Sequence, residues 1–181
     1  MVQATVDISR AQSIPGWMND GELLWLAQHA HECKTIVEFG SFHGRSTRAL
    51  GDNCINGRVW AVDPWNGEYP TVKGDVAATV NTFVYPQFYE NLRDLITIGR
   101  VVPHRGFSWS FHLPYQVDMV FIDGDHRYET VKKDIDKALE LLKPGGLICG
   151  HDWNWYTVKQ AVEEKLQNIK VEETIWWTQK L

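Results

Sequence analysis

Short apolar runs rich in Val, Ile, Phe and Trp alternate with amphipathic runs of helical period along most of the chain. The apolar runs predict strands at 34–39, 58–62, 101–105, 117–122 and 146–150, and two further β-like runs at 170–173 and 175–179. The spacing between them predicts helices at 21–31, 46–53, 85–98, 128–142 and 155–167. Met119-Val120-Phe121-Ile122 is apolar at consecutive positions, as a strand covered by helices on both faces must be. Strand and helix in alternation therefore predict a doubly wound α/β sandwich around a mostly parallel sheet. Too little chain separates the last two runs for a crossover helix, so at least one strand pairs antiparallel.

In such a sheet a ligand binds beyond the carboxyl ends of the strands, where the strand order reverses. Polar residues just past predicted strand ends are therefore site candidates: Ser41 to Gly44, Asp63 to Trp65, Arg105 to Ser108, Asp123 to His126, and His151 to Asn154. The first group is the most informative. Strand 34–39 breaks into Gly40-Ser41-Phe42-His43-Gly44, a helix begins near Ser46, and the next strand ends on Asp63. Glycines let the backbone approach a ligand, a helix N-terminus offers unpaired N–H groups to an anion, and Asp63 can accept both hydroxyls of a ribose.

The turn lacks the G-x-G-x-x-G spacing of dinucleotide sites, and Glu38 stands two residues before Gly40. A pyrophosphate would be repelled by that carboxylate, whereas a cofactor carrying an amine and a sulfonium would be attracted. Glu38 thus favours S-adenosylmethionine (SAM) over NAD. Glu38-x-Gly40-x-x-x-Gly44 followed by Asp63 resembles the class I SAM-dependent methyltransferases, from about Gly21 to the end of the chain. The resemblance implies one Rossmann-like methyltransferase domain over 1–181, with a seven-stranded sheet and an antiparallel C-terminal strand. It further implies an N-terminal helical cap at 1–33 and a loop near the substrate at 66–85. Glu38 would hold the amine, directly or through water and the helix-opening residues. Gly40, Ser41, Phe42, Gly44, Arg45 and Ser46 would surround the carboxylate end of the cofactor. By the same resemblance Gly106, Phe107 and Ser108 line the adenine. For Trp65 two readings stand: a cover for the adenine, or a loop aromatic packed on the preceding helix.

A second constellation joins Asp123-Gly124-Asp125-His126 to His151-Asp152, at the ends of two strands expected to be neighbours. Oxygen and imidazole donors without thiolate suit a divalent ion such as Mg²⁺ or Mn²⁺. The pattern resembles the metal-dependent O-methyltransferases of the macrocin and cephamycin-pathway group and, distantly, catechol O-methyltransferase. That resemblance implies Asp123, His151 and Asp152 as ligands, with Asp123 also bordering the cofactor and counted with the catalytic groups. It departs at His151, where the family usually has an acid, which favours Mn²⁺ over Mg²⁺ or signals strand-end acceptors without an ion. His126 stands where those families hold a catalytic base, and an imidazole titrating near neutrality suits removal of a hydroxyl proton. A helix-start histidine bonded to Asp123 or Asp125 is the alternative.

The expected reaction is O-methylation of a small hydroxylated molecule, a sugar or an aromatic. The rivals are a SAM- or nucleotide-binding module without turnover and, less favoured, an NAD-dependent oxidoreductase. With 181 residues the chain has room for one core. A net charge of −5 and the lack of any Lys/Arg run speak against a nucleic-acid substrate. Three cysteines without C-x-x-C spacing read as small buried hydrophobes in a reducing compartment. No signal sequence, long apolar run or lipidation motif is present, so a soluble cytoplasmic protein is expected, with homo-oligomerisation left open. Nine tryptophans is an unusual number. Trp25 and Trp60 fall on predicted core faces; Trp109, Trp153 and Trp155 follow strand ends, where they can stack on an acceptor ring or join the core.

Overall fold

The computed structural model describes residues 5–66 and 84–181. The expected loop at 66–85 lies almost wholly outside the described residues. Seven strands form one sheet in the order β3-β2-β1-β4-β5-β7-β6, with β1 Thr35–Phe39, β2 Arg58–Asp63, β3 Val101–Arg105, β4 Val117–Ile122, β5 Leu142–Gly150, β6 Lys170–Glu172 and β7 Ile175–Gln179. β7 runs against β5 and β6, and all other pairings are parallel. The doubly wound sheet with an antiparallel C-terminal strand is therefore as expected.

Side chains alternate between the two faces of each strand. Ile36, Ala61, Met119 and Phe121 pack with helices α2 Asp20–Ala30, α3 Arg45–Asn53 and α4 Val84–Thr97. Val37, Phe39, Val120 and Ile122 pack with α5 Tyr128–Leu141 and α6 Tyr156–Lys165. Glu38 shares the face of Ile36, and this parity aims it at α3.

Boundaries shift where local packing decides them. A short helix α1, Ser9–Gln12, carries too little periodicity to be predicted. β5 begins directly at the end of α5, because Leu142 pairs with Val117 before a register shift. Trp25 is core, whereas Trp60 is only part-buried, against Phe111.

β1 lies between β2 and β4, so the strand order reverses at its carboxyl end and a crevice opens there. Gly40 sits at that point with φ 90°, and a Cβ on it would come within 2.2 Å of the Asp123 carbonyl oxygen. Gly40→Ala is accordingly expected to cost about 2 kcal/mol or more, from left-handed strain and backbone collision together. Urea unfolding measures it; wild-type stability would contradict the close approach of the two strand ends.

Candidate active site

Two carboxylates build the glycine turn. The Oδ2 atom of Asp63 accepts the amides of Ser41 at 3.0 Å and Phe42 at 2.9 Å, and its Oδ1 accepts the amide of Trp65 at 2.7 Å. These bonds hold Phe42 and Trp65 at φ 44° and 40°, where residues other than glycine are strained. Asp63 therefore shapes the turn as well as bordering the crevice. Glu38, fully buried, accepts at Oε2 the hydroxyls of Ser41, at 2.6 Å, and Thr47. Burial pushes its carboxyl up to about 7 against the pull of the Ser41, Ser46 and Thr47 hydroxyls. Its other oxygen, Oε1, is buried without a hydrogen-bond partner. An orphaned buried acceptor is costly, and it fits an amine brought by a ligand.

A cavity of about 540 Å³ opens at this turn. Gly40, Ser41, Phe42, Ser46, Asp63, Gly106, Phe107, Ser108, Asp123, His126, His151 and Asp152 all line it. Three expected cofactor residues do not. Glu38 lies behind Ser41, so it reaches the cavity only through its neighbours. Gly44, at φ 88°, caps α3, and a Cβ there would meet Leu92 at 2.3 Å; the glycine serves packing on α4. Trp65 is 4% exposed, packs on Tyr85 and Phe88, and donates its ring N–H to the Phe42 carbonyl at 2.9 Å. Its ring therefore belongs to the core and stands off the cavity.

Arg45, the first residue of α3, lines the cavity too. Its guanidinium donates to the carbonyls of Met18 at 2.9 Å, Gln12 at 2.9 Å and Ile14 at 2.7 Å, and so pins the segment before α2 along the cavity. Its side chain is committed to those carbonyls, and what it offers the cavity is its place at the start of the helix.

The second constellation assembles as expected. One ligand atom each from Asp123, His151 and Asp152 lies within 4.8 Å of the others. The Nδ1 atom of His151 is 3.4 Å from Asp123 Oδ1 and 3.2 Å from Asp152 Oδ2. Burial would lower the imidazole, but the charge of Asp123 and its hydrogen bonds to both carboxylates outweigh this and push it up to about 11. Asp152, at φ 61°, is another strained residue; burial would raise its carboxyl, yet the hydrogen bonds of His126 and His151 carry it well below the usual range. The Nε2 atom of His126 lies 2.6 Å from Asp152 Oδ2, and its ring stacks on Trp155 with centroids 4.6 Å apart. Desolvation pulls His126 down, but Asp152 raises it above the ordinary histidine value.

Two residues here escaped the sequence reading. Glu22 closes an Asn19/Glu22 capping box at the start of α2 and brings Oε1 to 3.1 Å from His151 Nε2, outside hydrogen-bond alignment. The Asn-x-x-Glu spacing signals the cap but not this neighbour. Asp134, 3% exposed, accepts the Ser108 hydroxyl and lines the cavity from α5. Burial lifts its carboxyl to about 7. A charged residue on the apolar face of the predicted helix was the available signal. Of the late tryptophans, Trp109 and Trp155 line the cavity, whereas Trp153 packs against the core.

The fold is that of the class I methyltransferases, and the family comparison agrees. Residues 37–153 match the family described as "Methyltransferase domain", and the chain belongs to that family. A SAM-dependent O-methyltransferase from Thermotoga maritima superposes with a TM-score of 0.68 at 16% identity, covering 92% of this chain and 67% of that one. An O-methyltransferase from Bacillus cereus, in complex with SAH, gives 0.67 at 15% identity, covering 94% and 86%. Among curated sequences, the uncharacterized protein R132 of Acanthamoeba polyphaga mimivirus is 25% identical over 137 residues, 75% of this chain. The chain spans 15% and 58% of the lengths of the curated relatives it matches. No described helix is long and apolar enough to cross a membrane.

Proposed function

We propose that this protein is a SAM-dependent O-methyltransferase of a small hydroxylated acceptor, assisted by a divalent ion. The observation that supports this reading is the buried Glu38 carboxylate directly behind the Asp63-buckled glycine turn, its Oε1 without a hydrogen-bond partner, which would act on the cofactor's ammonium through Ser41 or a water. Asp63, Ser41 and Ser46 present oxygens and a helix start to ribose and carboxylate. The acceptor oxygen attacks the sulfonium methyl in line, the C–S bond breaks, S-adenosylhomocysteine (SAH) leaves, and the hydroxyl proton passes to His126.

The donor set of Asp123, His151 Nδ1 and Asp152 suits an ion of the Mn²⁺ type, with Glu22 beside the far nitrogen as an orienting carboxylate. A bound ion would lower the pKa of the acceptor hydroxyl and fix its angle. One observation favours a second reading: a protonated His151 sits between three carboxylates and supplies a positive charge at the same place.

Calorimetry with SAH tests the cofactor reading. Below about pH 7 the raised Glu38 carboxyl holds a proton in the free protein, and an ammonium placed beside it favours the ionised form. Binding at about pH 6 is therefore expected to release a proton, seen as a heat that varies with the ionisation enthalpy of the buffer. Glu38→Gln should abolish that release, and Asp63→Ala should weaken binding about tenfold or more. Unchanged affinity and unchanged proton release in both variants would refute the assignment.

A further inference from the structure

The loop between α1 and α2 is wound around one side chain. Residues 13–19 form no helix or strand, so their backbone groups need partners from elsewhere in the chain. Arg45 supplies them to the carbonyls. Its Nε donates to Met18 at 2.9 Å, just before the Asn19 cap of α2. Its Nη1 is shared among Ile14 at 2.7 Å and the last two carbonyls of α1, Gln12 at 2.9 Å and Ala11 at 3.3 Å. The loop also lies directly on the Arg45 stem, since a Cβ on Gly16 would stand 2.8 Å from Cδ and 3.2 Å from Cβ of that side chain. Gln12 closes the loop through a 2.9 Å bond to Asp20. At 16% exposure the Arg45 side chain is the polar core of the loop.

The same loop is a wall of the cavity. Residues 15–18 line it together with Ser41, Phe42 and Ser46, and the Trp17 ring lies against Phe42 with centroids 5.1 Å apart. Under the SAM reading, on which this inference rests, the amino-acid end of the cofactor occupies this part of the cavity, beside the start of α3. Arg45 stands at the joint: its backbone opens the helix, and its side chain holds the adjoining wall. The geometry points to Arg45 as a positioning residue for the amino-acid end of the cofactor, acting through the loop it templates and not by contact. Four carbonyls gathered on one guanidinium use a planar fork of donors, which the compact ammonium of a lysine does not offer. A ligand that lacks the amino-acid end makes no use of this wall, so its binding is indifferent to Arg45.

The experiment compares SAH with 5′-methylthioadenosine, which lacks that end, by calorimetry on wild type, Arg45→Ala and Gly16→Ala. Wild type is expected to bind SAH at least about tenfold more tightly than methylthioadenosine. Arg45→Ala should lose about tenfold or more in SAH affinity and keep its methylthioadenosine affinity within about twofold. Gly16→Ala retains the guanidinium but drives the loop off its stem, so the same selective loss is expected there. Full SAH affinity in Gly16→Ala beside a loss in Arg45→Ala would overturn the proposal, because Arg45 would then touch the cofactor itself. Equal loss of both ligands would overturn it too and leave Arg45 as a brace for the fold; so would unchanged SAH affinity in Arg45→Ala, or a wild type that binds the two ligands equally. Should Arg45→Ala fail to fold, Arg45→Lys takes its place, with the same selective loss expected because an ammonium cannot span the four carbonyls. A wild-type protein that bound neither ligand would instead sink the cofactor reading itself.

Discussion

Methyl transfer by this protein is expected to fall to background in excess chelator and to return on addition of Mn²⁺, more fully than with Mg²⁺. The expectation rests on two carboxylates and an imidazole whose donor atoms lie within 4.8 Å of one another at the ligand end of the sheet. A nitrogen in the set disfavours Mg²⁺, which prefers oxygen, relative to a borderline transition ion. Asp152→Ala should lose activity by at least about 10²-fold and recover with neither ion, because it removes one of the three proposed ligands and also the anchor of His126. SAH affinity should survive, since Asp63 and Glu38 are untouched, and calorimetry separates the two effects. Full activity in excess chelator would sink the ion. The positive charge at this point would then be His151 itself, held between Asp123, Asp152 and Glu22.

What the sequence discloses and what it hides follow one physical division. Strands apolar on both faces, such as Met119 to Ile122, must be covered twice, so the layered sheet was legible. Gly40 was legible too, because the close approach of two strand ends leaves no room for a Cβ. Hidden were side chains whose type allows several partners. Trp65 suits a ligand face or a core equally, and the hydrogen bond that its backbone N–H donates to Asp63 Oδ1 goes with a ring buried in the core. Arg45 can hold a carboxylate or backbone carbonyls, and the chain before α2 claims it first. Glu22 and Asp134 come from helices whose rotation about their axes is set only by packing. Nothing local said that one would face His151 and the other Ser108.

His126→Ala is expected to lower kcat by about 10²-fold or more while leaving SAH affinity and metal content near wild type. Its ring is locked from two sides, by the 2.6 Å contact of Nε2 with Asp152 and by the parallel stack on Trp155. If Nε2–H donates to Asp152, Nδ1 is left as the acceptor for the hydroxyl proton, an arrangement in which a carboxylate fixes the working tautomer. The same contact allows a purely positioning role, in which His126 only steadies Asp152. The two roles part in the kinetics. Loss of a proton acceptor lowers kcat with little change in KM for the acceptor, whereas loss of a brace for Asp152 lowers metal content along with the rate. Trp155→Leu, which removes the stack but keeps the imidazole, should cost far less than His126→Ala if the ring nitrogen does the work. A His126→Ala enzyme with near-normal kcat, or with its metal content gone, would remove His126 from the chemistry and leave it as a support for Asp152.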